Sequence, residues 1–420
     1  MVPCEGSMST LSDIRLPAPV RLANAIGTAL RRAGLPLFRL DPDVLLETAA
    51  RRTGLADFGD DCFREPLRRL IESLESEARL TPLGRYAARA DLLRLLENRL
   101  RMRDEMRRHP EMCEAEIRAP LFILGLPRTG TSILHELLAQ DPDNRVPMSW
   151  EVMYPWPPPE SATYDTDPRI EQTDRHLNGI DRLIPSFKSI HPMGARLPQE
   201  CVALTAHDFA TMVYHTTHNV PSYQRWLEQA DLVPVYRSHR RQLQYLQWRC
   251  PARRWVLKSP GHLWALDALL QVYPDARIVQ THRDPLEVLA SLVSLIRVLR
   301  RIATDHVDPL EIGRDWAVRL AAGLNKTMAV RAGGALRPEQ VFDLDFRSFV
   351  GNEIASIRRI YSHFGMELSD EAEARMRRFL ADNPRDKHGT HRYALEQFGL
   401  DPATERTRFA EYIEKHMTKG

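Results

Sequence analysis

Residues 121–132 have the sequence Leu121-Phe-Ile-Leu-Gly125-Leu-Pro-Arg128-Thr-Gly130-Thr131-Ser132, in which four apolar residues run into a glycine-containing turn. An amphipathic segment, residues 133–139, follows directly. This order predicts a buried strand, a tight loop and a helix. Because glycines let the backbone curl, successive amide N–H groups can face inward at the start of the helix and hold a phosphate.

The loop differs from that of nucleoside triphosphatases at one informative position. Residues 125–132 nearly match the pattern G-x-x-x-x-G-K-[ST], but Thr131 stands where the pattern has a lysine. That lysine reaches the β- and γ-phosphates of a triphosphate. Here the cation is Arg128, inside the loop, where it can touch only the group that the loop itself holds. We therefore expect a short phosphate or a mixed phosphate anhydride as the ligand.

The run Pro127-Arg-Thr-Gly-Thr-Ser132 resembles the 5′-phosphosulfate loop of PAPS-dependent sulfotransferases. It is most similar to the branch that includes tyrosylprotein sulfotransferases and many bacterial enzymes, which have Pro-Arg-Ser-Gly-Thr-Thr there. The resemblance implies 3′-phosphoadenosine 5′-phosphosulfate (PAPS) as the donor. It also implies that the 5′-phosphate is held by Arg128 and by the amides of Thr129, Gly130, Thr131 and Ser132. The alternative is an ordinary strand, glycine turn and helix without a ligand.

Two further motifs follow predicted strands. They resemble sulfotransferase motifs and occur in the same order along the chain. Arg283 precedes a predicted helix and Ser291 lies two turns inside it. Sulfotransferases place an arginine and a serine at this spacing to bind the 3′-phosphate of the donor, to which an arginine can make a forked contact. Lys258 ends another strand and resembles the lysine of the Lys-Asp-Pro turn in the tyrosylprotein enzymes, where it could stabilise the leaving group. Without a donor-binding role, Arg283 would be an ordinary surface arginine, Ser291 a serine on a helix surface, and Lys258 a solvated lysine at a strand end.

A third element, Lys387-His388-Gly389, resembles the Arg-Lys-Gly segment that many sulfotransferases fold over the 3′-phosphate. The hydrophilic residues that precede it indicate a loop that could close as a lid. A plain basic turn is the alternative.

A base for the acceptor hydroxyl is also needed. Glu151 follows the first strand–helix unit, as the catalytic glutamate of the tyrosylprotein enzymes does, and the resemblance implies that it is the base. The cytosolic small-molecule enzymes use a histidine in a different segment, so His191 and Glu200 remain rivals. Glu151 could also serve only as a salt-bridge partner of Arg128.

The order of elements predicts an α/β fold with a P-loop-like, doubly wound parallel sheet. Strands at 254–258, 276–281 and 340–345 alternate with helices at 262–273, 308–332 and 346–364, and residues 145–151 are expected to be extended. We expect this domain to occupy residues 118–420. Residues 17–117 have helical spacing and form a helical N-terminal module, while residues 1–16 are expected to be a disordered or tag-like start.

Net charge, apolar runs and cysteine content indicate which partners and which cellular location to expect. A net charge of +2 gives no reason to expect nucleic acid, and no apolar run has transmembrane length. Five scattered cysteines without a C-x-x-C motif indicate a reducing, cytoplasmic environment. We expect no metal, because no metal motif is present and sulfuryl transfer needs little metal assistance.

The sequence therefore predicts sulfuryl transfer from PAPS to a small-molecule or lipid alcohol or phenol, and leaves a homodimer open. The alternatives are a P-loop nucleotide kinase, which ATP turnover with Mg²⁺ would reveal, and a catalytically silent nucleotide-binding protein on the same fold. Donor binding without turnover of any acceptor would reveal the silent protein.

Overall fold

The computed structural model of the protein describes residues 17–35, 37–183, 193–251, 253–383 and 394–417. These residues form a sheet of five parallel strands in the order β2-β3-β1-β4-β5. The strands are β1 (Leu121–Gly125), β2 (Asn144–Arg145), β3 (Arg254–Lys258), β4 (Arg277–His282) and β5 (Val341–Asp345). The central position of β1 and the all-parallel pairing agree with the predicted doubly wound sheet.

Nineteen α-helices lie in the described part of the chain. The four that precede the sheet are α1 (Ala18–Arg32), α2 (Pro42–Thr53), α3 (Arg64–Ser76) and α4 (Pro82–Arg108). The others are α5 (Thr131–Leu138), α6 (Ser149–Met153), α7 (Pro168–Leu183), α8 (Cys201–Thr205), α9 (Val213–Thr217), α10 (Pro221–Leu227), α11 (Val233–Gln247), α12 (Leu266–Val272), α13 (Pro285–Ala303), α14 (Pro309–Ala332), α15 (Phe346–Phe349), α16 (Glu353–His363), α17 (Asp370–Asp382), α18 (Pro402–Arg408) and α19 (Ala410–His416).

Side chains of β1 alternate between two apolar clusters, one on each face of the sheet. Phe122 and Leu124 pack with residues of α11 to α14, whereas Leu121 and Ile123 pack with α5, α16 and α17. Because helices cover both faces, every residue of β1 is buried and the strand is apolar throughout. This arrangement leaves the carboxyl ends of the strands as the place for a ligand.

Caps fix where several helices begin. Asp284 accepts a hydrogen bond from the Leu286 N–H, and Pro285 occupies the first turn of α13, as the sequence predicts. Asp41 caps α2 in the same way. As a result, α13 starts two residues after Arg283, and Ser291 lies in its second turn.

Three predicted elements are wrong in detail. Residues 145–151 are not extended throughout, because α6 begins at Ser149. The helix predicted at 346–364 is two helices, since Gly351 takes a φ of 90° between them. The helix predicted at 262–273 starts only at Leu266, after a short 3₁₀ segment, Pro260–Trp264.

The N-terminal helices share their core with the rest of the chain. The apolar cluster of α2, α3 and α4 is completed by Phe209, Tyr223 and Val235. The backbone N–H of Thr81 donates to the Ala303 carbonyl at the end of α13, with an N···O distance of 2.9 Å. The domain boundary near residue 117 stays a prediction, but the helical module is built onto the α/β part through these contacts.

Candidate active site

The turn after β1 is held closely against β4. A Cβ atom on Gly125 would lie 2.1 Å from Thr281 Oγ1 and 2.8 Å from the Thr281 carbonyl oxygen, so only glycine fits there. The Thr129 hydroxyl donates to the Leu126 carbonyl at 2.7 Å, and its oxygen lies 2.6 Å from Thr281 Oγ1. Thr129 is therefore a brace inside the loop. Thr281 supports the loop from β4, and sequence reasoning missed it because no local motif marks it.

The loop ends in a glycine that starts α5. Gly130 is the N-cap with a φ of 84°, and α5 begins at Thr131. The first amides of an α-helix have no partner within the helix, and the helix dipole favours an anion beside them. Ser132 is exposed in this first turn, and the exposed Arg128 has a φ of 67°. The predicted loop residues thus surround a position suited to a phosphate.

Arg283 reaches the same loop from the end of β4. Its Nη1 donates to the Arg128 carbonyl at 2.7 Å, its Nε donates to Glu287, and its guanidinium lies over the Phe346 ring at 4.3 Å. These contacts hold the cation beside the phosphate loop. Ser291 is half-buried on α13, and its part in binding the donor stays a prediction.

Lys258 lies between the phosphate loop and a carboxylate. Its Nζ donates to Ser132 Oγ at 3.3 Å and pairs with Glu200 Oε1. The Lys258 side chain is 5% exposed, whereas Glu200 is 22% exposed. A cation, a carboxylate and the start of α5 therefore meet at the carboxyl ends of β1 and β3.

Glu151 has a different environment. Its side chain is fully buried and pairs with Arg145, which is itself 9% exposed. Its second oxygen accepts from the Met148 N–H and from the Tyr164 hydroxyl, both at 2.9 Å. Burial raises the pKa of the Tyr164 phenol, which therefore remains a donor to this carboxylate. Glu151 is thus fully occupied in holding α6, which argues for a structural role.

The model of the sulfotransferase family matches residues 120–370, well over half of the chain. The chain belongs to the sulfotransferase family. The match contains the phosphate loop, Lys258 and Arg283, and it confirms the predicted family and enzyme class. Enzymes of this family transfer a sulfuryl group from PAPS, the donor that the loop sequence predicts.

Two solved sulfotransferases are similar over most of the chain. STF1 from Mycobacterium tuberculosis H37Rv is 34% identical with a TM-score of 0.80, and the match covers 89% of this chain and 100% of that one. STF9 from Mycobacterium avium is 32% identical with a TM-score of 0.82, over 89% of this chain and 96% of that one. These structures confirm the predicted fold class.

A further relative is named for its acceptor. Omega-hydroxy-beta-dihydromenaquinone-9 sulfotransferase Stf3 from Mycobacterium bovis is 24% identical over 290 residues, which cover 66% of this chain and 71% of that protein.

A largely apolar pocket lies beside the Lys258–Glu200 pair of the sulfotransferase. Cys201 and Ser259, which directly follow the two paired residues, line it. Its other walls come from helices α8, α10 and α11, from the loops beside them and from the 3₁₀ segment after β3, and include Val202, Met212, Leu232, Tyr236 and Trp264. Burial raises the pKa of the Cys201 thiol, so this side chain is a neutral wall residue.

Two of the predicted elements lie outside the described residues. These are the lid-like run Lys387-His388-Gly389 and the rival base His191. Their roles in the sulfotransferase stay predictions.

One grouping of potential metal ligands occurs in the described part of the sulfotransferase. His282, Asp343 and His416 have ligand atoms within 4.8 Å of one another. However, Asp343 makes a forked ion pair with Arg331 at 2.7 and 2.8 Å. Both ring nitrogens of His282 are also engaged, one with Asp343 and the other with the Tyr412 hydroxyl. The guanidinium occupies the place of a counter-cation, so the grouping is better explained as a structural network.

Proposed function

We propose that this sulfotransferase acts on an elongated, apolar alcohol and uses Glu200 as its general base. The observation that carries the proposal is the position of Glu200. It pairs with Lys258 beside Ser132 of the phosphate loop, and the residue after it lines an apolar pocket. A hydroxyl at the mouth of that pocket would meet the carboxylate and the donor together.

The residues around the loop have separate roles in this proposal. The amides of residues 129–132 and Arg128 hold the 5′-phosphate, while Arg283 and Ser291 hold the 3′-phosphate. Lys258 faces the oxygen that bridges sulfur and phosphorus, where its charge stabilises the leaving group. These positions favour the donor geometry over a triphosphate, because Thr131 cannot replace the lysine of a kinase loop.

The proposed chemical step is a single displacement at sulfur. The acceptor oxygen forms a bond to sulfur while the bond from sulfur to the bridging oxygen breaks, which releases adenosine 3′,5′-bisphosphate. The hydroxyl proton passes to the Glu200 carboxylate. Holding the hydroxyl in line with the breaking bond is the main contribution of the site.

Glu200 replaces Glu151 in the proposal because of their surroundings. Glu151 is fully buried and both of its oxygens have partners within the protein. A base must reach the proton that it removes, and Glu200 retains an exposed fraction next to Lys258.

The acceptor class rests on two supports. The pocket beside Glu200 has mainly apolar walls, as ligand pockets usually do. In addition, the relative Stf3 is named for an omega-hydroxylated dihydromenaquinone acceptor. We therefore propose a lipid-like alcohol, and a phenol only if its ring enters the same pocket.

The proposal also includes a cytoplasmic location, on the ground that the four described cysteines are free thiols. No described helix is both long and apolar enough to cross a membrane. The absence of nucleic acid and of metal, and the possibility of a homodimer, stay predictions from the sequence.

To test the proposal, a substitution places a side chain in the pocket, and the activity of the variant is compared between long-chain and short-chain alcohols. A Cβ on Gly261 would lie 3.2 to 3.5 Å from Ser259, Met212 and Val202, so the side chain of Gly261→Leu must enter the pocket. We expect kcat/KM for a long-chain alcohol to fall at least about tenfold, the effect of losing one well-packed apolar contact. Ethanol and adenosine 3′,5′-bisphosphate should be affected much less.

Gly179→Leu is the matched control, because a side chain there has open space on α7. Sulfated product is measured by mass spectrometry, and affinity for the bisphosphate by calorimetry. Equal losses with long and short alcohols would contradict the pocket as the acceptor site. Unchanged activity with both would place the acceptor elsewhere.

A further inference from the structure

Helix α1 presents its apolar side to the outside of the protein. Leu22, Ile26 and Leu30 recur every fourth residue and are 62%, 53% and 39% exposed. The side that faces the protein carries Asn24 and Gly27, both buried. Surface helices of globular proteins normally have the opposite arrangement. The outer face of α1 therefore lacks a partner within the described chain.

The apolar surface continues beyond the end of α1. Leu35 and Phe38 are 50% and 39% exposed, and Phe38 contacts Tyr86 of α4 with ring centroids 5.3 Å apart. Tyr86 is itself 55% exposed. Aromatic side chains with a polar tip, such as tyrosine, are favoured at interfaces where the ring lies in an apolar phase and the tip contacts water.

The same segment is positively charged. Residues 17–40 contain Arg21, Arg31, Arg32 and Arg39 and no aspartate or glutamate. Arg31 and Arg39 line a cleft together with Arg85 and Glu75; Arg85 is paired with Glu75, and Arg39 with Asp41. Within the described part of the chain, the buried Nη1 of Arg31 has no hydrogen-bond partner. A cationic cleft therefore borders the exposed apolar surface.

We propose that α1 and the described residues after it, 18–35 and 37–40, bind the surface of an anionic phospholipid membrane. Leu22, Ile26 and Leu30 enter the boundary between head groups and acyl chains, and the arginines contact lipid phosphates. Apolar area and attraction to anionic lipids add in this kind of binding. With 15 residues, α1 lies on the surface and does not span the membrane.

Charge argues for a membrane rather than a second copy of the chain. In a two-fold dimer the same surface meets itself. Such contact would bring Arg21, Arg31 and Arg32 of both copies together, and residues 18–40 contain no aspartate or glutamate. Asp41, which follows the segment, is already paired with Arg39. A lipid phosphate provides the missing opposite charge. The proposal is independent of which acceptor the enzyme uses.

The experiment measures binding of the full chain to vesicles by co-sedimentation. We expect binding to vesicles of phosphatidylcholine mixed with phosphatidylglycerol, and at least about tenfold weaker binding to phosphatidylcholine alone. Rising NaCl should weaken the binding. Inorganic phosphate should release no more protein than NaCl of equal ionic strength, because the ligand is the lipid surface and not free phosphate.

Ile26→Glu should lower vesicle binding at least about tenfold, since a carboxylate would enter the lipid face. Val318→Glu is the matched control: Val318 is also 53% exposed and lies on α14, outside the proposed surface. The double change Arg31→Gln with Arg39→Gln should remove the preference for phosphatidylglycerol. The pair Arg118→Gln with Arg337→Gln, on exposed arginines elsewhere, should not.

Three outcomes would overturn the proposal. The first is equal binding to both kinds of vesicle, or none to either. The second is an equal effect of Ile26→Glu and Val318→Glu. The third is a dimer in light scattering that Ile26→Glu converts to a monomer, which would assign the surface to a second copy.

Discussion

Two glutamates in this enzyme differ in what their loss should do. Glu200→Gln removes the proposed base, so turnover should fall by about 10²–10⁴, the usual contribution of general-base catalysis. Binding of adenosine 3′,5′-bisphosphate, measured by calorimetry, should stay near that of the wild type. Glu228→Gln is a suitable control, because Glu228 lines the neighbouring pocket and, like Glu200, pairs with a buried cation, here Arg319.

Glu151→Gln should instead act on stability. It leaves the buried Arg145 without its charge partner, and breaking a buried ion pair typically costs about 3–5 kcal/mol. We expect a lower Tm in thermal unfolding and near-normal turnover of the protein that remains folded. If Glu151→Gln stays stable but loses turnover while Glu200→Gln keeps it, the two roles are exchanged.

These two residues also mark the limit of sequence reasoning. The loop at 125–132, Lys258 and Arg283 could be predicted because each follows a strand in a short motif. The contact between Lys258 and Glu200 joins residues 58 positions apart, and no periodicity encodes it. The burial of Glu151 depends on Arg145, on Tyr164 and on the short helix α6, which the sequence pattern does not predict.

Among the elements, the strands were the most predictable. The four strands β1, β3, β4 and β5 each contain two or more apolar residues in succession with turn residues behind them, and the parallel order follows from the helices between them. Helix α6 has five residues, too few for a helical period, and was predicted as extended. The break between α15 and α16 depends on Gly351, whose φ of 90° only the local packing reveals.

The contact between α4 and α13 gives a prediction at the scale of elements. A Cβ on Gly84 would lie 2.1 Å from the Ala303 carbonyl oxygen, and backbone cannot move aside as a side chain does. Gly84→Ala should therefore separate α4 from α13 and destabilise the protein by about 1–3 kcal/mol, as overpacking does. The free energy of unfolding in urea measures this loss.

Gly179→Ala is the control for that change. Gly179 lies inside α7 with open space around its Cα, so alanine there should stabilise the protein by up to about 1 kcal/mol. A Gly84→Ala variant as stable as the wild type would mean that the helical module is not held against α13 in solution.

At the scale of the whole molecule, buried histidines tie the stability of the fold to pH. Burial is the main cause of a lowered pKa in several of them. The pKa falls to about 4 for His207, His215 and His218, and to about 3 for His135 and His239. In the unfolded chain an exposed histidine has a pKa near 6.5. Between these values the unfolded chain binds protons that the folded protein does not.

Because the folded protein binds fewer protons than the unfolded chain, acidification favours unfolding. Stability is lost as pH falls below about 6.5, and the loss continues until the folded values are reached. Each of these histidines accounts for about 2 kcal/mol at pH 5, since one pKa unit corresponds to about 1.4 kcal/mol. We therefore expect the Tm in differential scanning calorimetry to drop markedly between about pH 7 and about pH 5.

A single substitution can separate this mechanism from general acid damage. His207 is 2% exposed, with Nδ1 3.2 Å from the Leu204 carbonyl and Nε2 3.3 Å from Asn98 Nδ2. His207→Gln removes one titrating ring, so the difference in Tm between about pH 7 and about pH 5 should shrink, even if the Tm at pH 7 is lower. His306→Gln, at an exposed position, is the control and should leave that difference unchanged. A Tm that stays constant over this range would mean that these histidines take up protons within the folded protein, and that the packing around α8 to α11 is looser than the structure describes.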